Sequence, residues 1–186
     1  MGGVNKALLD LGGIRIIERI ASVMQRVFPE VLLITNTPEV FQFLHLPAHR
    51  DIVPGHGSLG GLYTGLKLCS GDYAFLLACD MPFVDERALR YMVGLADHYD
   101  VVAPRIRDHW EPMHAMYSRS CLPHIERLMA ANDLKIINFF EEITILEVTE
   151  TDLARFDPEC RFLLNLNTPE DLERARKMVE TTGAGF

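Results

Sequence analysis

Apolar residues recur along the chain in two alternating patterns, short continuous runs and stripes at steps of three or four residues. Ile16, Ile20 and Met24 belong to a stripe that predicts an amphipathic helix over residues 16–27. Residues 73–79 form a continuous apolar run, which predicts a buried strand. The same patterns predict strands at 31–35, 49–53, 101–103, 113–117, 143–148 and 162–166, and helices at 38–44, 59–69, 84–95, 118–131 and 168–179.

This alternation of strands and helices predicts the fold class. It is typical of an α/β protein with three layers, in which a mostly parallel sheet carries helices on both faces. The length of 186 residues suits one domain with one good core. We expect that domain to span residues 1–180 and the Gly-bearing tail, 181–186, to be frayed.

Composition and charge exclude several function classes. The formal net charge of −8 argues against a nucleic-acid partner, because such proteins concentrate Lys and Arg on one face. The longest apolar runs are too short to cross a bilayer, so we expect no membrane partner. None of the four cysteines lies in a C-x-x-C pair, which disfavours a zinc site. Their wide spacing favours free thiols and a cytoplasmic location.

The residue that follows the strongest predicted strand is the first candidate for chemistry. Ligands of open parallel sheets bind beyond the carboxyl ends of the strands, and Asp80 stands directly after residues 73–79. A lone carboxylate there suits Mg²⁺, which takes its other ligands from water and phosphate. The alternative is that Asp80 only caps the helix that follows it.

Further polar residues stand at other predicted strand ends. Asn36 follows residues 31–35, and Asp51 precedes the Gly-rich turn at 55–61, which ends with Gly61. Such glycines let backbone approach an anionic ligand closely, and the next helix start could hold a negative group. A turn asparagine and an ordinary loop are the alternatives.

Two more sets of residues lie near the ends of the chain. Lys6 follows Gly2 and Gly3, and a lysine after a Gly-rich turn commonly neutralises phosphate. A surface lysine is the alternative. Asn165 and Asn167 stand two apart on the last predicted strand and therefore face the same way. The alternative for Asn167 is a role in the turn before the final helix.

In order and spacing, these segments resemble the molybdenum cofactor guanylyltransferase family from Met1 to about Lys177. Residues 1–8 resemble the back half of the family's opening signature, whose strand and Leu-Ala-Gly-Gly loop would lie upstream. The other segments that carry the resemblance are 51–61, 79–83 (Cys-Asp-Met-Pro-Phe), 111–117 and 165–171 (Asn-Leu-Asn-Thr-Pro-Glu-Asp).

The resemblance implies a reaction and its substrates. The family transfers GMP from GTP to molybdopterin with Mg²⁺ and releases pyrophosphate. GTP and molybdopterin would be the substrates, and other proteins of molybdenum cofactor biosynthesis would be transient partners. The implied alternatives are a cytidylyltransferase for the same cofactor, another nucleotidyltransferase of this fold, and an inactive binding or assembly protein.

The resemblance also implies roles for matching residues. Lys6 and Asp80 would be catalytic, with Lys6 on the triphosphate and Asp80 as the ligand of Mg²⁺. The implied nucleotide-binding residues are Lys6, Asn36, Asp51, Gly61 and Asp80. The second substrate would lie near Asn165 and Asn167.

The absence of a predicted strand before Lys6 gives one structural expectation. If the sheet lacks that strand, residues 31–35 and 73–79 should face each other across an empty slot. We expect the native protein to carry roughly 15 to 25 residues upstream, enough for one strand and a loop.

Overall fold

The computed structural model of the protein describes residues 5–182. Its α-helices are α1 (Ile16–Val27), α2 (Gly57–Leu68), α3 (Glu86–Val93), α4 (Leu122–Ala130), α5 (Glu150–Ala154) and α6 (Pro169–Thr182). Its strands are β1 (Leu33–Ile34), β2 (Ala48–His49), β3 (Tyr73–Leu77), β4 (Val101–Ile106), β5 (His109–Trp110), β6 (His114–Ser118) and β7 (Ile145–Thr149). Short 3₁₀ helices span Lys6–Leu8, Pro38–Leu44, Arg119–Cys121, Ile136–Glu142 and Arg161–Leu163. No helix within residues 5–182 is long and apolar enough to cross a membrane.

The strands form two sheets. β1 and β2 pair in parallel, with Leu33 opposite Ala48. The larger sheet has the order β3–β6–β4–β5, and β7 pairs with β4. β6 runs antiparallel to both β3 and β4, whereas β7 runs parallel to β4.

The expected α/β class is confirmed, but the sheet is mixed rather than mostly parallel. A hairpin causes the difference. Arg107 and Asp108 both have positive φ, 46° and 64°, and they turn the chain from β4 into β5. The chain then returns as β6, which separates β3 from β4. Positive φ at both central residues matches the right-handed twist of two paired strands.

Helices cover both faces of the larger sheet. One apolar cluster joins α2 and α4 to the sheet through residues such as Leu62, Ile125 and Tyr117. Two further clusters join α1, α3 and α6 to the opposite face, through residues such as Ile20 and Leu89. The three layers expected from the sequence are therefore present.

A slot separates the two sheets. β1 and β3 lie in different sheets among the described residues, and both strands line one cavity of about 630 Å³. Helices α1 and α2 line the same cavity. The slot expected between residues 31–35 and 73–79 is therefore found.

Some predicted strands are wrong in detail, and the one expected at 49–53 is Ala48–His49 in the structure. Residues 162–166 form no strand, because the buried Asp157 carboxylate accepts N–H groups of Glu159 and Arg161 and coils the chain into the 3₁₀ turn. Helix α6 continues to Thr182, and the domain bounds of 1–180 with a frayed tail stay a prediction. Residues 183–186 lie outside the described part.

Candidate functional site

The charged end of the cavity is built around Asp80, which lies three residues after the end of β3. Ala78 donates its N–H to the Met113 carbonyl, which continues the β3–β6 ladder by one residue. The Asp80 carbonyl accepts the Leu166 N–H at 2.9 Å. These two bonds fix the backbone on both sides of Asp80, whose side chain keeps 23% exposure at the cavity.

Three of the predicted site residues meet here. Lys6 Nζ donates to Asn167 Oδ1 at 2.9 Å and lies 3.8 Å from Asp80 Oδ2. Lys6 opens a short 3₁₀ helix whose start is capped by Asn5, since Asn5 Oδ1 accepts the Ala7 N–H. A cation, a carboxylate and an amide oxygen thus converge from three distant parts of the chain.

Asp171 holds the Asn167 turn in place. Its carboxylate accepts the N–H groups of Asn167 and Thr168 at 3.0 and 2.9 Å, and the Thr168 hydroxyl accepts the Asp171 N–H. The Thr168 N–H, followed by the Thr168 hydroxyl, holds the pKa of Asp171 below its usual range. Such a reciprocal cap stabilises the first turn of a helix.

Sequence reasoning included Asp171 only in the segment 165–171 that carries the family resemblance. Its role in holding Asn167 was missed. The signal was present in the sequence, because a hydroxyl residue followed three positions later by an acid is a capping pattern.

A second pair lies at the ends of β1 and β2. Asn36 Nδ2 donates to Asp51 Oδ2 at 2.9 Å, and the Asp51 N–H reaches Asn36 Oδ1 at 3.4 Å. Arg50 clamps the same turn by donating to the Asn36 carbonyl and to Glu39. Both Asn36 and Asp51 line the cavity, so their polar atoms can reach a bound ligand.

The Gly-rich turn leads into α2 beside this pair. Gly55 and Gly57 have φ of 85° and 52°, values that L side chains rarely adopt, so glycine is required at both positions. Gly61 lines the cavity one turn into the helix, and a Cβ there would meet nothing within 4 Å. The helix start and Gly61 therefore leave open space for a ligand.

The charges at this end suit one class of metal. Within residues 5–182, no group of three or more His, Cys, Asp and Glu side chains could hold an ion. Asp80 therefore offers a single carboxylate, and Lys6 adds a positive charge beside it. This set fits a hard cation that shares its coordination with phosphate and water, and it does not fit zinc.

The structure thus brings most of the predicted residues together. Four of them, Asn36, Asp51, Gly61 and Asp80, line the one cavity, and Lys6 and Asn167 are bonded at its Asp80 end. Asn165 is partly buried and does not line the cavity, so its role stays a prediction.

The comparisons with known proteins identify the family. A family model described as the MobA-like NTP transferase domain matches residues 1–143. The chain belongs to this family. A curated relative from Pelotomaculum thermopropionicum, named probable molybdenum cofactor guanylyltransferase, is 37% identical over 98% of this chain and 89% of its own length. The family is one of nucleotidyltransferases, so the chain is an enzyme of that class.

Solved structures share the fold. Molybdopterin-guanine dinucleotide biosynthesis protein A from Archaeoglobus fulgidus superposes with a TM-score of 0.82 at 25% identity, covering 96% of this chain and 92% of that one. A 4-diphosphocytidyl-2C-methyl-D-erythritol synthase from Anaerococcus prevotii has a TM-score of 0.71 at 12% identity, covering 97% and 92%. The second likeness concerns the fold alone.

Proposed function

We propose that this protein transfers GMP from GTP to molybdopterin, giving molybdopterin guanine dinucleotide and pyrophosphate. One observation carries the proposal: Lys6, Asp80 and Asn167 converge at one end of a cavity whose other wall holds Asn36 and Asp51. A cavity with a charged end and an amide–carboxylate pair suits a nucleoside triphosphate. The name of the relative from Pelotomaculum thermopropionicum supports the choice of GTP.

The bond changes follow from the substrates. An oxygen of the terminal phosphate of molybdopterin attacks the α-phosphorus of GTP, and the bond from that phosphorus to the bridging oxygen breaks. Pyrophosphate leaves with the electron pair. The attacking phosphate monoester is ionised at neutral pH, since its second pKa is about 6, and the step needs no protein base.

The protein then has two tasks, positioning and charge neutralisation. The Lys6 ammonium turns from Asp80 toward the phosphate oxygens of GTP and neutralises part of their charge. Asp80 would hold a divalent cation, which we propose to be Mg²⁺, and that cation would supply further neutralisation at the phosphates. Asn167 keeps Lys6 oriented through its 2.9 Å bond.

Asp51 and Asn36 serve base recognition in this proposal. Guanine presents two adjacent N–H donors, and a carboxylate can accept both. The bond from Asn36 Nδ2 holds the Asp51 carboxylate in one orientation. Asn165 and Asn167 would face molybdopterin from the β3 side.

The reaction would take place in the cytoplasm, with transient contact to other proteins of molybdenum cofactor biosynthesis.

A direct assay tests the proposal. The full-length protein is mixed with molybdopterin, MgCl₂ and either GTP or CTP, and pyrophosphate release is followed with and without molybdopterin. We expect release with GTP at least 100-fold faster than with CTP, because a site built for one base leaves polar groups unpaired with another. A CTP preference would support the cytidylyltransferase alternative. Nucleotide binding without turnover would support the binding-protein alternative.

A further inference from the structure

Glu111 is a half-buried carboxylate at the turn between β5 and β6. Among residues 5–182 its side chain forms no hydrogen bond or ion pair. Burial raises the pKa of Glu111, and the nearby His109 offsets this in part. A carboxylate that loses water without gaining a donor costs free energy. A ligand that brings its own N–H groups would remove that cost.

Backbone bonds hold the turn that carries Glu111. The Glu111 N–H donates to the Pro104 carbonyl of β4 at 2.9 Å, and the Glu111 carbonyl accepts the His114 N–H at 3.0 Å. Pro112 stands at the second position of the turn with a fixed φ, and its carbonyl accepts the Tyr117 hydroxyl at 2.7 Å. The Glu111 side chain therefore starts from a fixed backbone position, which a residue that selects between substrates requires.

The same turn lies at the edge of the sheet that carries Asp80. β3 and β4 both run antiparallel to β6, so they are parallel to each other and their carboxyl ends share this edge. The Met113 carbonyl accepts the Ala78 N–H there. Met113 lines the cavity, and Glu111 stands two residues before it, just outside the lining. β3 and β4 are two strand spacings apart, roughly 10 Å, which sets the scale of the separation between Asp80 and Glu111.

Strand alternation decides the face on which Glu111 lies. Ile106 pairs with His109 and belongs to the apolar cluster on the α3 side of the sheet. His109 and Glu111 are two residues apart, so Glu111 lies on that side as well. Trp110, between them, lies on the α2 and α4 side, where its ring contacts Phe140.

The segment that carries Asn165 passes over the same side as Glu111. Phe162 belongs to the same apolar cluster, and its ring lies 5.6 Å from the ring of His114, which ends the turn. Asn165 stands just before the residue whose N–H bonds to the Asp80 carbonyl. Glu111 therefore shares one side of the sheet edge with a residue expected to face the second substrate.

We propose that Glu111 selects the second substrate, by accepting the two adjacent N–H groups on the pyrimidine edge of its pterin ring. The proposal rests on the function proposed above, in which that substrate is molybdopterin. Pterin and guanine carry the same 2-amino-4-oxopyrimidine edge, so a protein that joins the two needs an acceptor for each. A carboxylate offers two oxygen acceptors. Asp51 serves guanine and Glu111 serves pterin, with Asp80 between them at the phosphates.

The charges also set the direction in which the second substrate lies. Lys6 and the cation proposed at Asp80 attract its phosphate, whereas the Glu111 carboxylate repels phosphate and attracts N–H donors. The separation of roughly 10 Å leaves room for the fused rings of the pterin between these ends. A ring without the 2-amino group would leave one Glu111 oxygen unpaired.

The probe is pterin-6-ylmethyl phosphate, compared with the same compound carrying a methyl group in place of the 2-amino group. The methyl compound keeps the size and the phosphate and removes the donor. Binding is measured without nucleotide from pteridine fluorescence, for the wild type, Glu111→Gln and Asp51→Asn. Glu141→Gln, at an exposed glutamate of the 3₁₀ helix Ile136–Glu142, is the matched control. The affinity of each protein for GTP is measured separately.

We expect the wild type to bind the amino compound at least 10-fold more tightly than the methyl compound. Glu111→Gln should lose most of that ratio, because an amide turns an N–H donor toward one of the ring donors. Its affinity for GTP and its circular dichroism spectrum should stay unchanged. Glu141→Gln and Asp51→Asn should keep the wild-type ratio. In the full reaction, Glu111→Gln should raise KM for molybdopterin at least 10-fold and leave KM for GTP unchanged.

Several results would overturn the assignment. A wild type that binds neither compound, or binds both equally, has no acceptor for the amino edge. An unchanged ratio in Glu111→Gln would place the pterin ring elsewhere, and a ratio lost in Asp51→Asn would place it in the guanine site. A parallel loss of GTP affinity in Glu111→Gln would make the role of Glu111 structural.

Failure of this proposal is distinguishable from failure of the proposed function. A ratio that depends on Glu111, in a protein that releases no pyrophosphate from GTP with molybdopterin, would refute guanylyl transfer and keep the pterin site. Normal pyrophosphate release together with a ratio that does not depend on Glu111 would refute the role of Glu111 alone.

Discussion

The ammonium of Lys6 donates a 2.9 Å hydrogen bond to the side-chain oxygen of Asn167, across 161 positions of sequence. Asp80 Oδ2 lies 3.8 Å from the same ammonium. The two contacts come from the middle and from the C-terminal part of the chain. They make the charged end of the cavity dependent on the whole fold rather than on any one motif.

Asp80→Asn should abolish turnover with GTP and leave the fold intact. The substitution keeps the shape of the side chain and removes the negative charge that would hold the divalent cation. We expect a loss of at least 1000-fold in kcat with an unchanged circular dichroism spectrum. Asp108→Asn, at a carboxylate whose side chain is 95% exposed, is the control and should keep full activity. Activity within 10-fold of wild type in the Asp80 variant would refute the assignment.

Asn167→Asp should impair GTP binding more than Asn167→Ala does. A carboxylate at this position would pair with Lys6 and compete with the triphosphate for its charge, whereas alanine only releases Lys6. We expect KM for GTP to rise roughly 10-fold in the alanine variant and roughly 100-fold in the aspartate variant, about 1.4 and 2.7 kcal/mol. Steady-state kinetics decide this. Asn138→Ala, which removes an exposed bond to Asp133, should change neither constant.

Asp51→Asn should weaken the distinction between GTP and ITP. Inosine lacks the 2-amino group of guanine, so the wild-type protein should prefer GTP by roughly 10- to 100-fold, the value of a charge-assisted hydrogen bond. An amide cannot accept two N–H donors as a carboxylate can. The variant should lose most of that preference in kcat/KM. A preference unchanged from wild type would place guanine away from Asp51.

His114 makes the stability of the fold depend on pH. Its ring is fully buried, and neither ring nitrogen has a hydrogen-bond partner among the described residues. Burial lowers the pKa of His114 to about 3. Between pH 6.5 and 3 the unfolded chain therefore binds a proton that the folded chain does not, so stability falls as the pH falls through this window.

His114→Leu tests this dependence. At pH 5 the wild type should have lost about 2 kcal/mol relative to pH 7.5 through this histidine, which the leucine variant should not lose. Urea unfolding at both pH values measures the difference. His109→Gln, at an exposed histidine on β5, should keep the wild-type dependence. Equal losses in the wild type and the His114 variant would contradict the prediction.

Local patterns were sufficient for much of the fold. The stripe that begins at Ile16 predicted α1 with the bounds that the structure has, because an apolar face at helical period is a property of the sequence itself. The helix predicted at 168–179 likewise matches the start of α6, where the Thr168 hydroxyl accepts the Asp171 N–H. The capping pattern of Thr149 and Asp152 also indicates the start of the short helix α5, which apolar periodicity did not predict.

Sequence reasoning also identified most residues of the candidate site. Asn36 and Asp80 follow predicted strands, Asp51 lies within the strand predicted at 49–53, and all three line the cavity. The resemblance to a known family added roles for these residues. Neither source could give the contact between Lys6 and Asn167, or the bonds from Asp171 that hold it.

The sequence by itself determined the helices, the strong strand over Tyr73–Leu77 and the polar residues at strand ends, because each depends on neighbours a few positions away. Only the tertiary structure decided that β6 lies between β3 and β4. It also decided that Lys6 meets both Asp80 and Asn167. These outcomes depend on which distant hydrogen-bond partners are within reach, and no local pattern of apolar and polar residues records that.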